Sequence, residues 1–191
     1  MINTELISFR LTGMRPLLMH SARLCDPLDP IVQDLARITR KRLKTTADHH
    51  EISRIEWFGG LWLSDGLPCI PAEAIEATFL AGARMHRRGP QAAAGVQVEA
   101  PARLCYDGPQ DIDDLWHQKP YRLRVPVRVG NARTMRTRPR FDKWHVEFTA
   151  SYLPSFLSRT SIEEILATSG IARGLGDWRP KFGRFQVECL K

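Results

Sequence analysis

The spacing of hydrophobic residues changes along this chain, and that change constrains the fold more than any other feature. Alternation of apolar and polar residues, typical of half-buried strands, occurs at 5–12, 96–104, 121–129, 144–152 and 185–189. Helical spacing occurs at 31–38, 46–58, 71–88 and 161–166, and Ser161 with Glu164 fits a capping box at the start of the last of these helices. The order is strand, helices, strands, helix, strand. It predicts a single α+β domain over 1–191 on a βαββαβ plan, with a helical insertion at about 29–59.

The chain length and apolar content fit one domain with a hydrophobic core. The 191 residues are 43% hydrophobic, which is ordinary for a globular protein and too high for a disordered one. No run of about 18 apolar residues is present, so no membrane span is expected. Residues 1–13 alternate and lack an apolar signal core, so we expect a cytoplasmic protein.

The cysteines and histidines do not indicate a metal or cofactor site. The four cysteines are scattered without a CxxC pair, and we expect buried thiols in a reducing compartment. His49 and His50 beside Glu51 could bind a metal ion, but an exposed helix start is the favoured interpretation. No cofactor is predicted.

An excess of basic residues indicates an anionic partner. The chain has 28 Lys and Arg against 21 Asp and Glu, a net charge of +7 and a pI near 9.6. Nucleic acid is the most common partner of such a protein. A basic surface without a ligand is the alternative.

The densest positive charge lies between two predicted strands, in a hairpin at about 128–143. Arginine forks bind phosphate and their planes stack on unpaired bases, so we expect this hairpin to protrude and follow a nucleic-acid backbone. A solvated or salt-bridged loop is the alternative. The residues predicted to bind nucleic acid here are Arg128, Arg133, Met135, Arg136, Arg138, Arg140 and Lys143.

A glycine-rich stretch, GLGDWRPKFGRF, precedes the last predicted strand. Its glycines let the backbone approach a ligand, and its interleaved basic and aromatic residues fit single-stranded nucleic acid. It has neither GxxxxGK[ST] nor a GxGxxG that follows a strand. A tight structural turn with Trp178 and Phe182 in the core is the alternative. The residues predicted to bind nucleic acid here are Gly176, Trp178, Arg179, Lys181 and Arg184.

The loop after the first strand, HSARLCDPLDP, contains the candidate catalytic groups. His20 could act as a general acid or base, and Asp26 or Asp29 could bind a metal ion. Asp–Pro pairs are also common turn formers, and Asp29 before Pro30 can start a helix. The structural interpretation is favoured, so the chain is not expected to be an enzyme.

Three stretches together resemble the RAMP superfamily, the repeat-associated proteins of CRISPR systems. LTGMRPLLMHSA is similar to the family's first strand and following loop. LPCIPAEAIEATFLAGARMHR resembles its I-P-G-S-S-L-K-G-x-L-R segment; Ile70 and Pro71 are kept, and residues 72–74 depart from the usual small and serine positions. GLGDWRPKFGRFQVE is similar to the terminal glycine-rich loop and last strand. The motifs follow in the family's order over nearly the whole chain.

This resemblance implies a modified ferredoxin-like or RRM-like fold with a β-hairpin thumb. It is closest to the backbone subunits of antiviral effector ribonucleoproteins, which assemble along guide RNA. The implied partners are single-stranded RNA, further copies of the chain and other effector subunits. The arginine-rich stretch at 128–140 is the candidate thumb. Some such subunits cut target RNA with an aspartate in the first loop, the region of Asp26 and Asp29.

Three functions stay open on the sequence alone. The favoured one is an RNA-binding assembly subunit without catalysis, which predicts steep salt dependence and self-association on RNA. A RAMP-type endoribonuclease would cleave RNA through His20 or a first-loop aspartate. An interaction protein, such as a viral inhibitor or mimic that docks on a CRISPR complex, would bind a protein partner tightly and free RNA weakly.

Overall fold

The computed structural model describes residues 3–190, except for the side chain of Val129. The strands are β1 (Glu5–Gly13), β2 (Leu17–Leu18), β3 (Leu63–Ser64), β4 (Leu67–Ile70), β5 (Val96–Val98), β6 (Ala102–Arg103), β7 (Cys105–Tyr106), β8 (Arg122–Val129), β9 (Ala132–Phe141), β10 (Trp144–Tyr152) and β11 (Phe185–Leu190). The helices are α1 (Pro30–Thr39), α2 (Thr46–Gly60), α3 (Ala72–Met85), α4 (Gly89–Gly95), α5 (Ile112–His117) and α6 (Arg159–Ala172). This mixture of helices and antiparallel sheets confirms the α+β class.

The chain divides into two compact units. The first unit comprises the residues up to Leu17, Leu63–Asp107 and the residues from Asp142 on. The second unit comprises Leu18–Trp62 and Gly108–Phe141. None of the described helices is long and apolar enough to cross a membrane.

An antiparallel sheet forms the centre of the first unit. Its strand order is β11-β1-β10-β5, and β7 also pairs with β10. Phe9 on β1 lies opposite Phe148 on β10 and Cys189 on β11. The alternation of β1 places Ile7, Phe9 and Leu11 in the core, each at most 2% exposed. A burial pattern on one face fixes the register, because a one-residue slip would expose all of these side chains.

Helices α3 and α6 cover the inner face of this sheet. Ile75 and Phe79 of α3 and Ile162 of α6 are buried there. The helices approach closely at Gly82, where an added Cβ would lie 1.9 Å from the Ser169 hydroxyl. A small sheet of order β3-β4-β6 completes the unit.

The outer face of the sheet is polar. Arg10 on β1 pairs with Glu147 on β10 at 2.5 Å and with Glu188 on β11 at 3.6 Å. Ser8 shares a hydrogen bond with Thr149 at 2.8 Å. None of the described residues that β1, β10 and β11 direct to this face is Phe, Tyr or Trp.

The second unit contains α1, α2, α5 and the β8–β9 hairpin. Trp57 of α2 is fully buried, and its indole N–H donates to the Tyr121 carbonyl at 2.8 Å. Its ring packs on Phe58 and Trp116, with centroids 5.0 and 5.5 Å apart. Helices α1 and α2 lie within the predicted insertion at about 29–59. The hairpin begins and ends slightly earlier than the predicted 128–143.

Three local predictions are wrong. The single strand expected at 96–104 is broken into β5 and β6, because Pro101 has no N–H to continue a ladder. Helix α6 is capped by Ser158, which accepts from the Ser161 amide at 3.2 Å, and not by the expected capping box of Ser161 and Glu164. The thiols of Cys25 and Cys105 are exposed and not buried.

Candidate nucleic-acid interface

A groove of about 760 Å³ lies between α2 and the β8–β9 hairpin in the second unit. Its positive charges come from Lys44, Arg124, Arg133 and Arg136, and its one carboxylate is Glu56. Its other lining groups are two imidazoles, five hydroxyl side chains, and the apolar Ile52 and Met135. The groove is therefore basic, with hydrogen-bonding groups and a small apolar area.

The register of the hairpin brings two of the groove arginines, Arg124 and Arg133, to one face. Arg124 lies opposite Thr137, and Arg128 lies opposite Arg133. Directly opposed residues of an antiparallel pair share a face, so these four side chains and Met135 lie on the same side. Gly130, with φ of +60°, makes the turn that connects the strands.

A buried carboxylate of α2 attaches the helix to β9. Glu56 is 3% exposed, and its Oε1 lies 2.5 Å from Arg136 Nη1. Its Oε2 accepts from the Thr137 backbone N–H at 2.9 Å, and Ser53 shares a hydrogen bond with the Thr137 hydroxyl at 2.7 Å. Arg136, a predicted RNA-binding residue, is thus neutralised within the protein.

Three other cations of the groove have no carboxylate partner among residues 3–190. Arg124 and Arg133 are exposed, and no ion pair of the described chain involves them. Lys44 donates to the Lys41 carbonyl at 2.8 Å, so its charge is not neutralised. Like charges that line one groove repel each other, and a bound anion relieves that repulsion. The groove can therefore bind a polyanion.

The remaining predicted residues of the hairpin do not line the groove. Arg128 is exposed and donates to the Gly130 carbonyl at 3.1 Å. Arg138 and Arg140 are half-buried in β9 and have partners within the protein. Lys143 is exposed in the bend after β9. The arginine cluster of the sequence is thus divided among different surroundings.

The glycine-rich loop lies in the first unit, between α6 and β11. Gly174, Gly176 and Gly183 have φ of +73°, +85° and +70°. An added Cβ at Gly183 would lie 1.7 Å from the Leu175 carbonyl oxygen, so this glycine is required by the turn. The loop is therefore a tightly built turn, as the structural alternative proposed.

The side chains of this loop remain partly accessible. Trp178 is 38% exposed, so it is not a core residue, and its ring centroid lies 6.0 Å from that of Phe182. Arg179 donates to Thr78 at 3.4 Å. Lys181 Nζ lies 5.8 Å from the Phe182 ring, and the Arg184 Nε is buried without a hydrogen-bond partner.

The candidate catalytic carboxylates accept hydrogen bonds from nearby backbone N–H groups. Asp29 caps α1 by accepting from the Ile31 N–H at 2.8 Å, and its hydrogen bond with Arg23 lowers the pKa of the carboxyl group. Asp26 accepts from the Leu28 N–H at 2.9 Å. His20 is half-buried and has a partner in the protein. Among the described residues, no group of three or more His, Cys, Asp or Glu could hold a metal ion.

Sequence reasoning missed four basic side chains that line the groove. They are Lys44, His49, His50 and Arg124. Arg124 could have been found from strand parity, since it lies on the opposite face of β8 from the apolar residues. The basic run at 40–44 was a second indication. The two histidines reach the groove because α2 packs on the hairpin, and no local sequence pattern predicts that packing.

No protein-family model and no curated protein matches this sequence. The function of the groove therefore has to be inferred from its own geometry and charge.

Proposed function

We propose that this protein is an RNA-binding structural subunit of the RAMP type, which coats single-stranded guide RNA in a CRISPR effector complex without cleaving it. The observation that carries the proposal is the groove of the second unit. Lys44, Arg124 and Arg133 lie there without carboxylate partners among residues 3–190. Phosphates of a nucleic-acid backbone would neutralise them and release counterions, which favours binding.

The lining of the groove supports single-stranded RNA as the ligand. Met135, 38% exposed, and Ile52 provide apolar contact for an unpaired base. The hydroxyls of Ser53 and Thr134 can hydrogen bond with the ribose 2′-OH, the group that distinguishes RNA from DNA. Arginine planes also stack on bases that are not paired.

The proposed fold is ferredoxin-like, and the topology of the first unit supports it. Counting β1, β5, β10 and β11 as the four strands of a βαββαβ unit, the sheet order is fourth, first, third, second. Each neighbouring pair is antiparallel. Helices α3 and α6 follow the first and third of these strands, as the split βαβ plan requires.

The outer sheet face is a poor alternative site for RNA. RRM-type domains stack bases on aromatic residues of this face, whereas here it presents Glu147 and Glu188 around Arg10. Carboxylates repel phosphate, so we assign RNA to the groove. The proposed location is the cytoplasm. The proposed protein partners are further copies of the chain and other effector subunits.

The test is the salt dependence of RNA binding. Fluorescence anisotropy with a single-stranded RNA of about 40 nucleotides, longer than typical single-domain sites of about 4–16 nucleotides, gives the affinity at several salt concentrations. The double variant Arg124→Ala/Arg133→Ala should weaken binding to every sequence. It should also make the slope of log K against log salt shallower by about 0.7 per lost phosphate contact.

The matched control removes two arginines outside the groove. Arg37 pairs with Asp34 and Arg159 with Glu163, so Arg37→Ala/Arg159→Ala should leave the slope unchanged. Equal slopes for the wild type and the groove variant would exclude the groove as the RNA site. Absence of binding at about 50 mM salt, where phosphate contacts are strong, would refute the function itself.

A further inference from the structure

An acidic depression of about 330 Å³ lies on the outer sheet face of the first unit. Glu99 and Glu147 line it together with the apolar Ala100, Pro101 and Leu190. Glu147 is paired with Arg10, whereas Glu99 is exposed and forms no ion pair in the described part of the chain. We call this surface, comprising Glu99, Glu147, Ala100, Pro101 and Leu190, the acidic shelf.

The acidic shelf lies on a face that exposes apolar area. Leu6, on the same face of the sheet, is 65% exposed. Its negative charge excludes a nucleic acid as the covering ligand, because phosphate and carboxylate repel each other. A partner for this surface should therefore carry cations around an apolar side chain.

The first unit itself presents a surface of that kind, at the turn between α3 and α4. We call it the basic turn; it comprises Arg84, Met85, Arg87 and Arg88. All four side chains are exposed, Met85 by 49%. None of the three arginines forms an ion pair among residues 3–190.

The backbone holds the basic turn in a defined shape. Arg87 has a left-handed φ of +58°, and the Arg88 N–H donates to the Ala83 carbonyl at 2.8 Å. His86 Nε2 lies 2.9 Å from the Thr168 hydroxyl of α6. A preformed turn loses little conformational entropy when it binds.

We propose that the basic turn of one copy docks on the acidic shelf of a second copy. Helix α3 packs on the inner face of the sheet, whereas the acidic shelf is on the outer face, so one molecule cannot join its own two surfaces. The contact is heterologous and leaves one surface of each kind free at the ends, which permits open chains of copies. The inference rests on the assembly part of the proposed function, but the contact itself requires no RNA.

Sedimentation velocity of the full chain without RNA tests this contact. At about 50 mM salt the wild type should grow beyond a dimer as protein concentration increases, and about 200 mM salt should reverse the growth, since exposed charge pairs are screened. Arg87→Ala/Arg88→Ala and, separately, Glu99→Gln should each be monomeric. Arg40→Ala/Arg42→Ala, a matched removal of charge at exposed residues of the second unit, should assemble like the wild type.

The decisive sample is an equimolar mixture of the two monomeric variants. It should form a one-to-one dimer and nothing larger, because one intact basic turn and one intact acidic shelf remain between the two variants. A monomeric wild type, variants that still assemble, or a mixture without dimer would overturn the proposal. RNA affinity measured on the monomeric Glu99→Gln variant tests the groove separately. A wild type that fails to assemble would overturn this contact alone, whereas a Glu99→Gln variant that fails to bind RNA would count against the proposed function.

Discussion

Glu56 of α2 lies against Arg136 of β9, 80 residues later in the chain, with Oε1 2.5 Å from Nη1. The second oxygen of the same carboxylate accepts from the Thr137 backbone N–H at 2.9 Å. One buried side chain therefore satisfies both a cation and a backbone N–H of β9. It fixes the position of the hairpin relative to α2, and so the width of the groove.

Substitution of Glu56 by Gln should lower stability and reduce the protection of the Thr137 backbone N–H in β9. The amide keeps the shape but removes the charge, and losing a charge-assisted bond to a buried group costs about 1–3 kcal/mol. Arg136 is 32% exposed, so the loss should fall at the lower end of that range. Hydrogen exchange of the Thr137 amide and urea unfolding measure the two effects.

The exposed Glu51, on the same helix, provides the control for this substitution. Its side chain is 48% exposed, and its ion pair with Arg54 is long, at 3.7 Å. Glu51→Gln should therefore leave both measurements unchanged. Equal protection of the Thr137 amide in the wild type and in Glu56→Gln would show that the carboxylate does not hold this part of β9.

The Glu56–Arg136 pair illustrates what the sequence could and could not predict. Strand and helix periods are local, so the β1, β8 and β10 strands and the α+β class could be predicted from alternation. Glu56 lies 80 positions before Arg136 in the sequence, and no local pattern indicates that the two form a pair. The sequence therefore predicts RNA as the partner of Arg136. Nor does a local pattern indicate the position of His49 and His50, which reach the groove only because α2 packs on β9.

Gly183 should be far less tolerant of alanine than Gly66. Both have positive φ, +70° and +76°, which costs a residue with a Cβ about 1–2 kcal/mol. An added Cβ at Gly183 would also lie 1.7 Å from the Leu175 oxygen, whereas Gly66 has nothing within 4 Å. In thermal melts Gly66→Ala should lower the midpoint by a few degrees, and Gly183→Ala should abolish the cooperative transition of the first unit. Similar melts for both variants would contradict this account of the loop.

Trp178 should contribute more to RNA binding than to folding. It is 38% exposed beside Phe182, so Trp178→Ala should cost less stability than the about 3–5 kcal/mol of a buried tryptophan. If the ring stacks on a base, RNA affinity should fall by about 1–3 kcal/mol. Trp178→Phe keeps a stacking surface and should restore most of the affinity. A stability loss with unchanged RNA affinity would make Trp178 a structural residue only.

Asp48 should make the second unit sensitive to acid. Its carboxylate accepts from Lys41 Nζ at 2.6 Å and from the Thr45 N–H at 2.9 Å, and these bonds lower the pKa of Asp48 to about 2 from its usual 3.8. A depressed pKa in the folded state means that the stabilisation is complete above about pH 4 and is lost as pH falls towards 2.

The Asp48→Asn variant isolates this contribution. It should melt below the wild type at neutral pH, and the difference should shrink as pH falls from about 4 to about 2, because the wild-type carboxyl is then protonated as well. Asp34→Asn, at an exposed site on α1 paired with Arg37 at 3.2 Å, is the matched control. Melting curves recorded across this pH range measure the difference. A gap between Asp48→Asn and the wild type that stays constant down to pH 2 would mean that the cap acts through its shape and hydrogen bonds, and not through its charge.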